Sequence, residues 1–372
     1  VEKSLIVTES LAISTVTQLD QALLELADAM TGLGQPLPLL EAVRLLPGQI
    51  EVVLAEAAQL PAPWIALDET GARWRRPAGD DPPETECRSP YPQLVTVGRD
   101  ETDNSVWLVN LEALGTISLT GDPTFAQDFA RYLAAEIALN PWSREVRLDC
   151  AGVAAEAAGL DPIRVRHYPL GDEQALRLGV EHALETIQRC ADLDVTAHTG
   201  RANDAGGDLW SSWLLLVNGA ATSETLDRLL DVIDQHPQHT GAALVMVGDG
   251  DPIRGTGMWL SDHGRVRIPS LNLDLEAVGL TPDEAQGCAM LLAAGDDLTD
   301  AEMPNAGEAG WRENCDAAGA PRPELVLPRD TDPEAIGEDA ASVLPGLDEE
   351  ILLAAAAVPA DLEQLAPLVP AS

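Results

Sequence analysis

The sequence predicts an α/β protein with a three-layer, mostly parallel sheet, and three observations support this prediction. Residues 106 to 152 follow the order strand, tight turn, long helix, strand. The run at 213 to 217 is apolar without alternation, which is typical of a parallel strand covered on both faces. A helical pattern at 223 to 235 and a strand pattern at 242 to 248 complete a second crossover. With 372 residues, 45% of them apolar, the chain is long enough to bury such a core.

The residues of the first β-α unit define its boundaries. An apolar, β-branched run at 116 to 120 ends at Gly121, where a turn can take positive φ without steric hindrance from a Cβ. Asp122 is a good N-cap, and Pro123 is favoured at the first helical position. The helix is predicted to pack on the sheet through a stripe formed by Phe125, Phe129, Leu133 and Ile137. We expect four parallel strands, at 116 to 120, 147 to 150, 214 to 217 and 242 to 247.

Changes in composition predict how the rest of the chain is organised. A small α+β unit is expected over residues 1 to 77, and a polar, proline-rich linker over 78 to 90. The α/β domain is expected over 91 to 294. Residues 295 to 347 are rich in Asp, Glu, Pro, Ala and Gly, which predicts an acidic, partly disordered segment. Residues 348 to 372 are predicted to form short helices.

The turn at Gly121 stands where a P-loop protein binds phosphate. In the motif G-x-x-x-x-G-K-[ST], backbone N–H groups surround the phosphate, the lysine reaches it and the hydroxyl group holds magnesium. On that spacing Ala126, Gln127 and Asp128 replace the second glycine, the lysine and the hydroxyl residue. Asp122 and Asp128 would also repel a polyanion, because like charges a few ångströms apart repel by about 1 to 4 kcal/mol. We therefore interpret the core as a degenerate P-loop NTPase-like fold.

The acids that an NTPase requires are also absent at their expected positions. One carboxylate at the end of an apolar strand holds magnesium and a second orients the attacking water. The best candidate strand, at 214 to 217, ends instead in Asn218 and Gly219. We therefore predict no catalytic residue, no cofactor-binding residue and no cofactor, and we do not expect the chain to be an enzyme.

No metal site is predicted either. The five cysteines are scattered, with no C-x-x-C pair, which indicates reduced thiols in a cytoplasm. His236 and His239 flank Pro237 without a third ligand nearby, so a solvated loop is favoured over a metal site. The oxygen-rich residues at 248 to 251 are interpreted in the same way, as a solvated turn that follows a buried strand.

Other side chains give expectations about burial. A second amphipathic helix, at 172 to 193, is predicted to bury Leu176, Val180, Leu184 and Ile187. Trp107, Trp213 and Trp259 lie in strand patterns and are expected in the core, and Trp142 is expected to pack across the end of the first helix. Trp210, on a loop, is the only tryptophan that we would test as a ligand contact.

The charge of the chain limits its partners. It has 62 acidic residues against 22 lysines and arginines, for a formal net charge of −40. Such a charge repels the phosphate backbone of nucleic acids and disfavours docking on an anionic membrane surface. No apolar run is long enough to span a membrane, and the N-terminus lacks a signal-peptide pattern. We expect a cytoplasmic segment whose partner is a protein, or another domain of a longer chain to which this fragment belongs.

Several stretches resemble the central region of large actinobacterial membrane proteins, which combine a LysM-type peptidoglycan-binding domain with a bacterial transcriptional activator domain. The similarity extends over most of residues 17 to 290. The matching stretches are YPQLVTVG at 91 to 98, VNLEALG at 109 to 115, LTGDP at 119 to 123, 136 to 142 and 165 to 167. The order of these elements also resembles FtsK-type ATPase domains, including degenerate ones in type VII secretion ATPases.

These resemblances imply a non-catalytic interaction or sensory module within a regulatory protein that is tethered to the cell membrane through flanking segments. Two alternatives remain open. One is a residual nucleotide-binding ATPase domain of the FtsK type, and the other is a component of a type VII-like secretion apparatus. No functional residue of the ATPase family has a counterpart here, so none is assigned from that resemblance.

Overall fold

The computed structural model describes residues 13–77, 89–203, 207–221, 223–248 and 254–296. These described residues belong to one compact unit. The helices are α1 (Ile13–Gly32), α2 (Leu111–Leu114), α3 (Pro123–Leu139), α4 (Gln174–Leu193), α5 (Ala197–Ala202), α6 (Glu224–Gln235) and α7 (Pro282–Asp296). Most of the predicted linker, and the segments predicted beyond residue 296, lie outside the described residues.

The described strands form one continuous sheet. They are β1 (Leu40–Leu46), β2 (Gln49–Leu54), β3 (Ile65–Ala66), β4 (Arg73–Pro77), β5 (Leu94–Arg99), β6 (Val106–Asn110), β7 (Thr116–Gly121), β8 (Val146–Ala151), β9 (Val165–Tyr168), β10 (Ser212–Asn218), β11 (Ala242–Val247), β12 (Thr256–Leu260), β13 (Arg265–Ile268) and β14 (Leu273–Ala277). Their order across the sheet is β3-β4-β2-β1-β6-β5-β14-β13-β12-β7-β11-β10-β8-β9.

The parallel part of the sheet confirms the predicted fold class. Neighbouring strands are parallel from β12 through β7, β11, β10 and β8 to β9. All four strands that were predicted to be parallel lie in this run. The remaining pairs are antiparallel, among them the hairpins β1-β2, β5-β6 and β12-β13.

The sequence of β10 is continuously apolar because its alternate residues pack in two different hydrophobic clusters. Leu214 and Leu216 pack in the cluster that contains α3, whereas Leu215 and Val217 pack with α4 and α6. Because successive side chains of a strand point to opposite faces, these two sets of helices cover opposite faces of the sheet. The arrangement confirms the prediction that the helix beginning near Phe125 packs on one face of the parallel strands.

The residues of the predicted small unit and those of the predicted α/β domain share the same sheet. Strand β1 pairs antiparallel with β6 through four residue pairs, from Ala42 with Val109 to Leu45 with Val106. Helix α1 packs over this region, and Leu19, Leu23, Leu26 and Met30 form its buried apolar stripe. Residues on both sides of the predicted boundary near residue 78 therefore share one sheet and one hydrophobic cluster.

Two predicted helical stripes need correction. Phe125 is 36% exposed and Leu184 is 41% exposed, so each lies at the edge of its helix's buried face rather than within it. The buried face of α4 instead runs through small residues, including Gly179 and Ala183. A Cβ on Gly179 would stand 2.1 Å from Cζ3 of Trp213, so the close packing of this indole determines which face of α4 is buried. No helix in the described ranges is long and apolar enough to cross a membrane.

Two side chains form hydrogen bonds with backbone groups of β5, a strand that pairs with β14 over only a short length. Strand β14 pairs with β5 only at Gly98 and Arg99. The Thr96 amide N–H donates to Oε2 of Glu136 at 2.7 Å, and its hydroxyl lies 2.8 Å from Oε1. The indole N–H of Trp142 donates to the Leu94 carbonyl at 2.8 Å. Thus Glu136 and Trp142, at the two ends of the 136–142 stretch, act as hydrogen-bonding partners of this strand.

We predict a pH-dependent contribution to stability from Glu136. Burial raises the pKa of Glu136 to about 7, although its hydrogen bonds from Thr96 oppose that effect. The folded state therefore binds this proton more tightly than the unfolded chain, and the associated stability is lost as pH rises from about 4.5 to about 7. Glu136→Gln removes the titration and retains an acceptor for the Thr96 N–H. In urea unfolding, the stability of this variant relative to wild type should increase from about pH 5 to about pH 8.

Glu136→Ala is the control, because it removes the acceptor as well as the charge. It should lower the free energy of unfolding by about 1 to 3 kcal/mol at low pH, where wild-type Glu136 is protonated. A stability difference between Glu136→Gln and wild type that stays constant across this pH range would contradict the assignment.

Candidate functional site

The β7-α3 junction is the position predicted to carry the degenerate loop, and in the structure a single residue, Asp122, separates the strand from the helix. Gly121 has φ of +104° and pairs with Leu260 of β12. A Cβ at Gly121 would lie 2.0 Å from the Leu260 carbonyl oxygen, so only glycine fits. The Asp122 N–H donates to the same oxygen at 2.9 Å. Strand β12 thus fixes the backbone where a phosphate-binding loop would need to leave the sheet.

The carboxylate of Asp122 occupies the anion-binding position of α3. Its Oδ1 accepts the N–H of Thr124 at 2.9 Å and the N–H of Phe125 at 3.1 Å. The first N–H groups of a helix are the donors that hold phosphate in P-loop proteins, and they carry the positive end of the helix dipole. Here an internal anion satisfies two of them. The predicted N-cap is confirmed, and it competes directly with any phosphate.

The other three motif positions lie inside α3 rather than in a loop. Ala126 is buried, Gln127 is half-buried, and Asp128 contacts Arg131 at 2.5 Å. Burial raises the pKa of Asp128, while the guanidinium of Arg131 opposes this shift. Residues 126 to 128 are therefore helical scaffold, and their backbone N–H groups are not arranged to surround a ligand.

Asn218 ends β10, at the position where an NTPase would carry an acid. Its Nδ2 donates to the Gly152 carbonyl at 3.2 Å, and its Oδ1 accepts the Ala220 N–H at 3.0 Å. The side chain thus joins the carboxyl end of β10 to the turn after β8. Of the residues predicted as a solvated turn after β11, only Gly248 lies within the described part of the chain.

The tryptophan predictions are only partly correct. Trp213 is buried, as predicted, whereas Trp142 is buried in the cluster that contains α1 and β1 and donates to the Leu94 carbonyl. Trp259 is 47% exposed, because its side of β12 faces outward and carries the guanidinium of Arg267 over its ring. Trp210 is buried with Cys190 and Ala197 and so is not an accessible ligand contact. The sequence places Trp210 on a loop, but only the tertiary fold brings α5 over it.

A cleft of about 1020 Å³ opens at the other edge of the sheet, near the amino end of β11, and sequence reasoning did not identify it. Its walls come from the segment after α1, from the α4-α5 connection and from the loop between α6 and β11. His236 and His239, predicted to lie in a solvated loop, are part of the third wall. The cleft is assembled from segments far apart in sequence, so no local motif could have indicated it.

His198 and Tyr91 hold one wall of the cleft in place. Nε2 of His198 lies 3.0 Å from the Leu37 carbonyl oxygen, and the Tyr91 hydroxyl donates to the Pro38 carbonyl at 2.5 Å. Burial lowers the pKa of His198 to about 4, so its imidazole is neutral near pH 7 and can donate from Nε2. The two rings stack, with centroids 6.3 Å apart.

A buried ion pair lies behind this wall. The Arg201 guanidinium contacts Oε1 of Glu112 at 3.2 Å and donates to the carbonyls of Pro90 and Trp210. Oε2 of Glu112 accepts the Ser212 hydroxyl at 3.1 Å. Tyr91, in the stretch at 91 to 98, and Glu112, in the stretch at 109 to 115, thus form structural hydrogen bonds beside the cleft. Among the described residues, no cluster of His, Cys, Asp and Glu has an arrangement that could hold a metal ion.

No family model matches this chain, and no curated protein matches it. Among solved structures, EssC (ATPases 2 and 3) from Geobacillus thermodenitrificans is 12% identical with a TM-score of 0.43, over 69% of this chain and 55% of that chain. Thermomonospora curvata EccC (ATPases 2 and 3), in complex with a signal sequence peptide, is 14% identical with a TM-score of 0.39, over 50% of this chain and 40% of that chain. The pCW3 conjugation coupling protein TcpA, with ATPγS, is 10% identical with a TM-score of 0.38, over 72% of this chain and 98% of that chain.

These similarities are distant. This chain spans only 40% and 26% of the lengths of two Thermomonospora curvata EccC structures. All of the TM-scores given above are below 0.5, so these similarities carry no argument about what this chain does.

We predict that Asp122 stabilises the fold through its cap. Asp122→Ala leaves the N–H groups of Thr124 and Phe125 without their acceptor and should lower the free energy of unfolding by about 1 kcal/mol. Asp122→Asn keeps an acceptor oxygen and should lower the free energy of unfolding by only a few tenths of about 1 kcal/mol. Urea unfolding at pH 7 measures both effects. Equal losses in the two variants would show that the charge, and not the cap, is what matters.

We also predict a large cost for breaking the buried ion pair. Arg201→Met should lower the free energy of unfolding by about 3 to 5 kcal/mol, because it leaves the Glu112 carboxylate buried without its partner. Combining it with Glu112→Gln removes the buried charge and should recover most of the loss. A double-mutant cycle by chemical denaturation tests this, and strictly additive losses would exclude the coupling.

Proposed function

We propose that this chain is a non-catalytic interaction or sensory module in which a P-loop-like scaffold has lost its nucleotide site. The observation that carries the proposal is the junction at Asp122, where a carboxylate takes the position of the phosphate at the start of α3. An ion that is part of the chain cannot be displaced without breaking the N-cap. Nucleotide binding would therefore have to overcome both the loss of the cap and charge repulsion.

The remaining geometry of this edge supports the same conclusion. A P-loop needs several residues between strand and helix so that backbone N–H groups converge on phosphate. Here strand pairing continues to Gly121 and the helix starts at Pro123. The amide of Asn218 is also a poor substitute for a carboxylate ligand of magnesium, and it already bonds the Gly152 carbonyl.

The wider context of the module belongs to the same proposal. In a LysM and transcriptional-activator type of membrane protein, such a module would lie in the cytoplasm and be tethered through flanking segments. Its partner would be a protein or another domain of the same chain, because a net charge of −40 opposes direct contact with nucleic acid. The full-length reading frame tests this context, since flanking LysM and activator segments are required by it.

The main alternative is a residual nucleotide-binding ATPase of the FtsK type, in isolation or as part of a type VII-like secretion apparatus. One observation favours it. Strand β11 lies between β7 and β10, so the carboxyl ends of all three meet at one edge of a parallel sheet. Ligands of open α/β sheets bind outside that edge.

Titration with magnesium-ATP separates the two possibilities. We predict no saturable heat, no phosphate release, and no change in melting temperature at millimolar ATP. The melting test is sensitive, because ligand at 100 times its dissociation constant would add about 2.7 kcal/mol. Saturable binding, especially binding that strengthens in Asp122→Ala, would overturn the proposal in favour of the ATPase.

A matched variant tests the structural reason for this result. Changing Ala126 to Gly, Gln127 to Lys and Asp128 to Thr restores the motif letters but places them within α3. Because no loop is created, this triple variant should also fail to bind ATP. Binding by the triple variant alone would show that the three residue types, and not the missing loop, exclude nucleotide.

A further inference from the structure

Three helices end at the cleft near the amino end of β11. Thr31 in the last turn of α1, Asp194 just after α4 and His236 just after α6 all line it. The C-terminus of a helix carries a partial negative charge of about half an elementary charge, which falls off within the last turn. Lysine, arginine or histidine in that turn usually offsets it, yet none of these three helices has a basic residue in its last turn.

The cleft lining includes two acidic residues and three histidines, His198, His236 and His239. Its charged lining residues, among those described, are Glu56 and Asp194, and no lysine or arginine lines it. His198 adds no positive charge near pH 7, because burial lowers its pKa to about 4. Two carboxylates and three helix C-termini therefore converge on one cavity, inside a chain whose net charge is already −40.

The size and polarity of the cleft indicate an organic ligand. A volume of about 1020 Å³ is far larger than a metal ion needs and lies at the upper end of small-molecule sites. Leu39, Ile187 and Val195 provide apolar surface beside hydroxyl groups from Thr31 and Thr199. Aliphatic stems pack on such apolar surface while a charged head remains near polar groups.

We propose that this cleft binds a small organic cation, a protonated amine on an aliphatic chain, as the ligand of the sensory module. The ammonium group would lie near Asp194 and the C-terminus of α4, and the hydrocarbon part near Ile187 and Val195. The assignment deepens the proposed sensory function and rests on it, but the site lies at the opposite edge of the sheet from Asp122. A ligand there would contact segments on both sides of residue 78 at once.

The test is calorimetric titration of the whole chain with 1,4-diaminobutane, with 1,4-butanediol and succinate as neutral and anionic probes of similar length. We expect saturable binding of one diamine and no binding of the diol or the dianion. The double variant Glu56→Gln, Asp194→Asn should weaken diamine binding by at least about tenfold. Asparagine tolerates the left-handed conformation of residue 194, where φ is +54°, so this variant should fold.

A second double variant, Glu181→Gln with Glu185→Gln, is the matched control. It removes the same number of charges from exposed positions on α4 that do not line the cleft. Its affinity for the diamine should stay within about twofold of wild type if binding is local. Equal weakening in both double variants would mean diffuse attraction to an acidic protein and would overturn the proposal. Absence of saturable heat, or binding of calcium in place of the diamine, would also overturn it.

These results are independent of the nucleotide titration. Failure of the diamine to bind overturns the ligand assignment and leaves the absence of nucleotide binding intact. Conversely, ATP binding would overturn the proposed function even if the diamine binds in the cleft.

Discussion

The pairing of β12 with β7 is the constraint on which the ligand-binding edge of this fold depends. It continues to Gly121, and the Leu260 carbonyl accepts the N–H of Asp122 at 2.9 Å. The chain must then turn directly into α3, because no residues are left for a loop. With the helix starting so early, its first N–H groups face the Asp122 carboxylate. One strand pair thus decides the conformation of Gly121 and the role of Asp122 as the N-cap of α3.

Buried and half-buried carboxyl groups are a recurring structural element in this acidic chain. Glu136 bonds to β5, Glu112 pairs with Arg201, and Asp149 accepts the indole N–H of Trp213 at 3.0 Å. Each carboxyl group has a donor that offsets part of its desolvation. Burial still raises the pKa of Glu136 and of Asp149. The acidic residues of the matched stretches are therefore explained by the scaffold, and a catalytic role is not needed to account for them.

The two edges of the parallel sheet differ in what they offer a ligand. At the carboxyl edge, the N-terminus of α3 is capped internally and Asn218 is engaged in turns. At the amino edge, three helix C-termini and two carboxylates surround a large cleft. At the first edge a carboxylate already accepts two N–H groups of the helix, whereas two carboxylates line the cleft at the second. This difference between the two edges is the basis of our proposal that the cleft binds a cation.

The sequence by itself determined the strands and helices whose signals are local. Apolar continuity identified β10, and the glycine and aspartate at 121 and 122 identified the start of α3. It also predicts that Ala126, Gln127 and Asp128 do not bind phosphate. Strand β14 was missed although Leu273 and Leu275 alternate with outward acids, because the strand is short and its partners are distant in sequence.

Only the tertiary structure decided where the segments meet. The joining of β1 to β6, the burial of Trp210 under α5 and the exposure of Trp259 depend on neighbours that are remote in the chain. The cleft depends on three helices that end at the same place, which no single segment encodes. Local sequence specifies backbone preference and one apolar face, whereas a site made of helix ends and opposing walls exists only after long-range packing has brought them together.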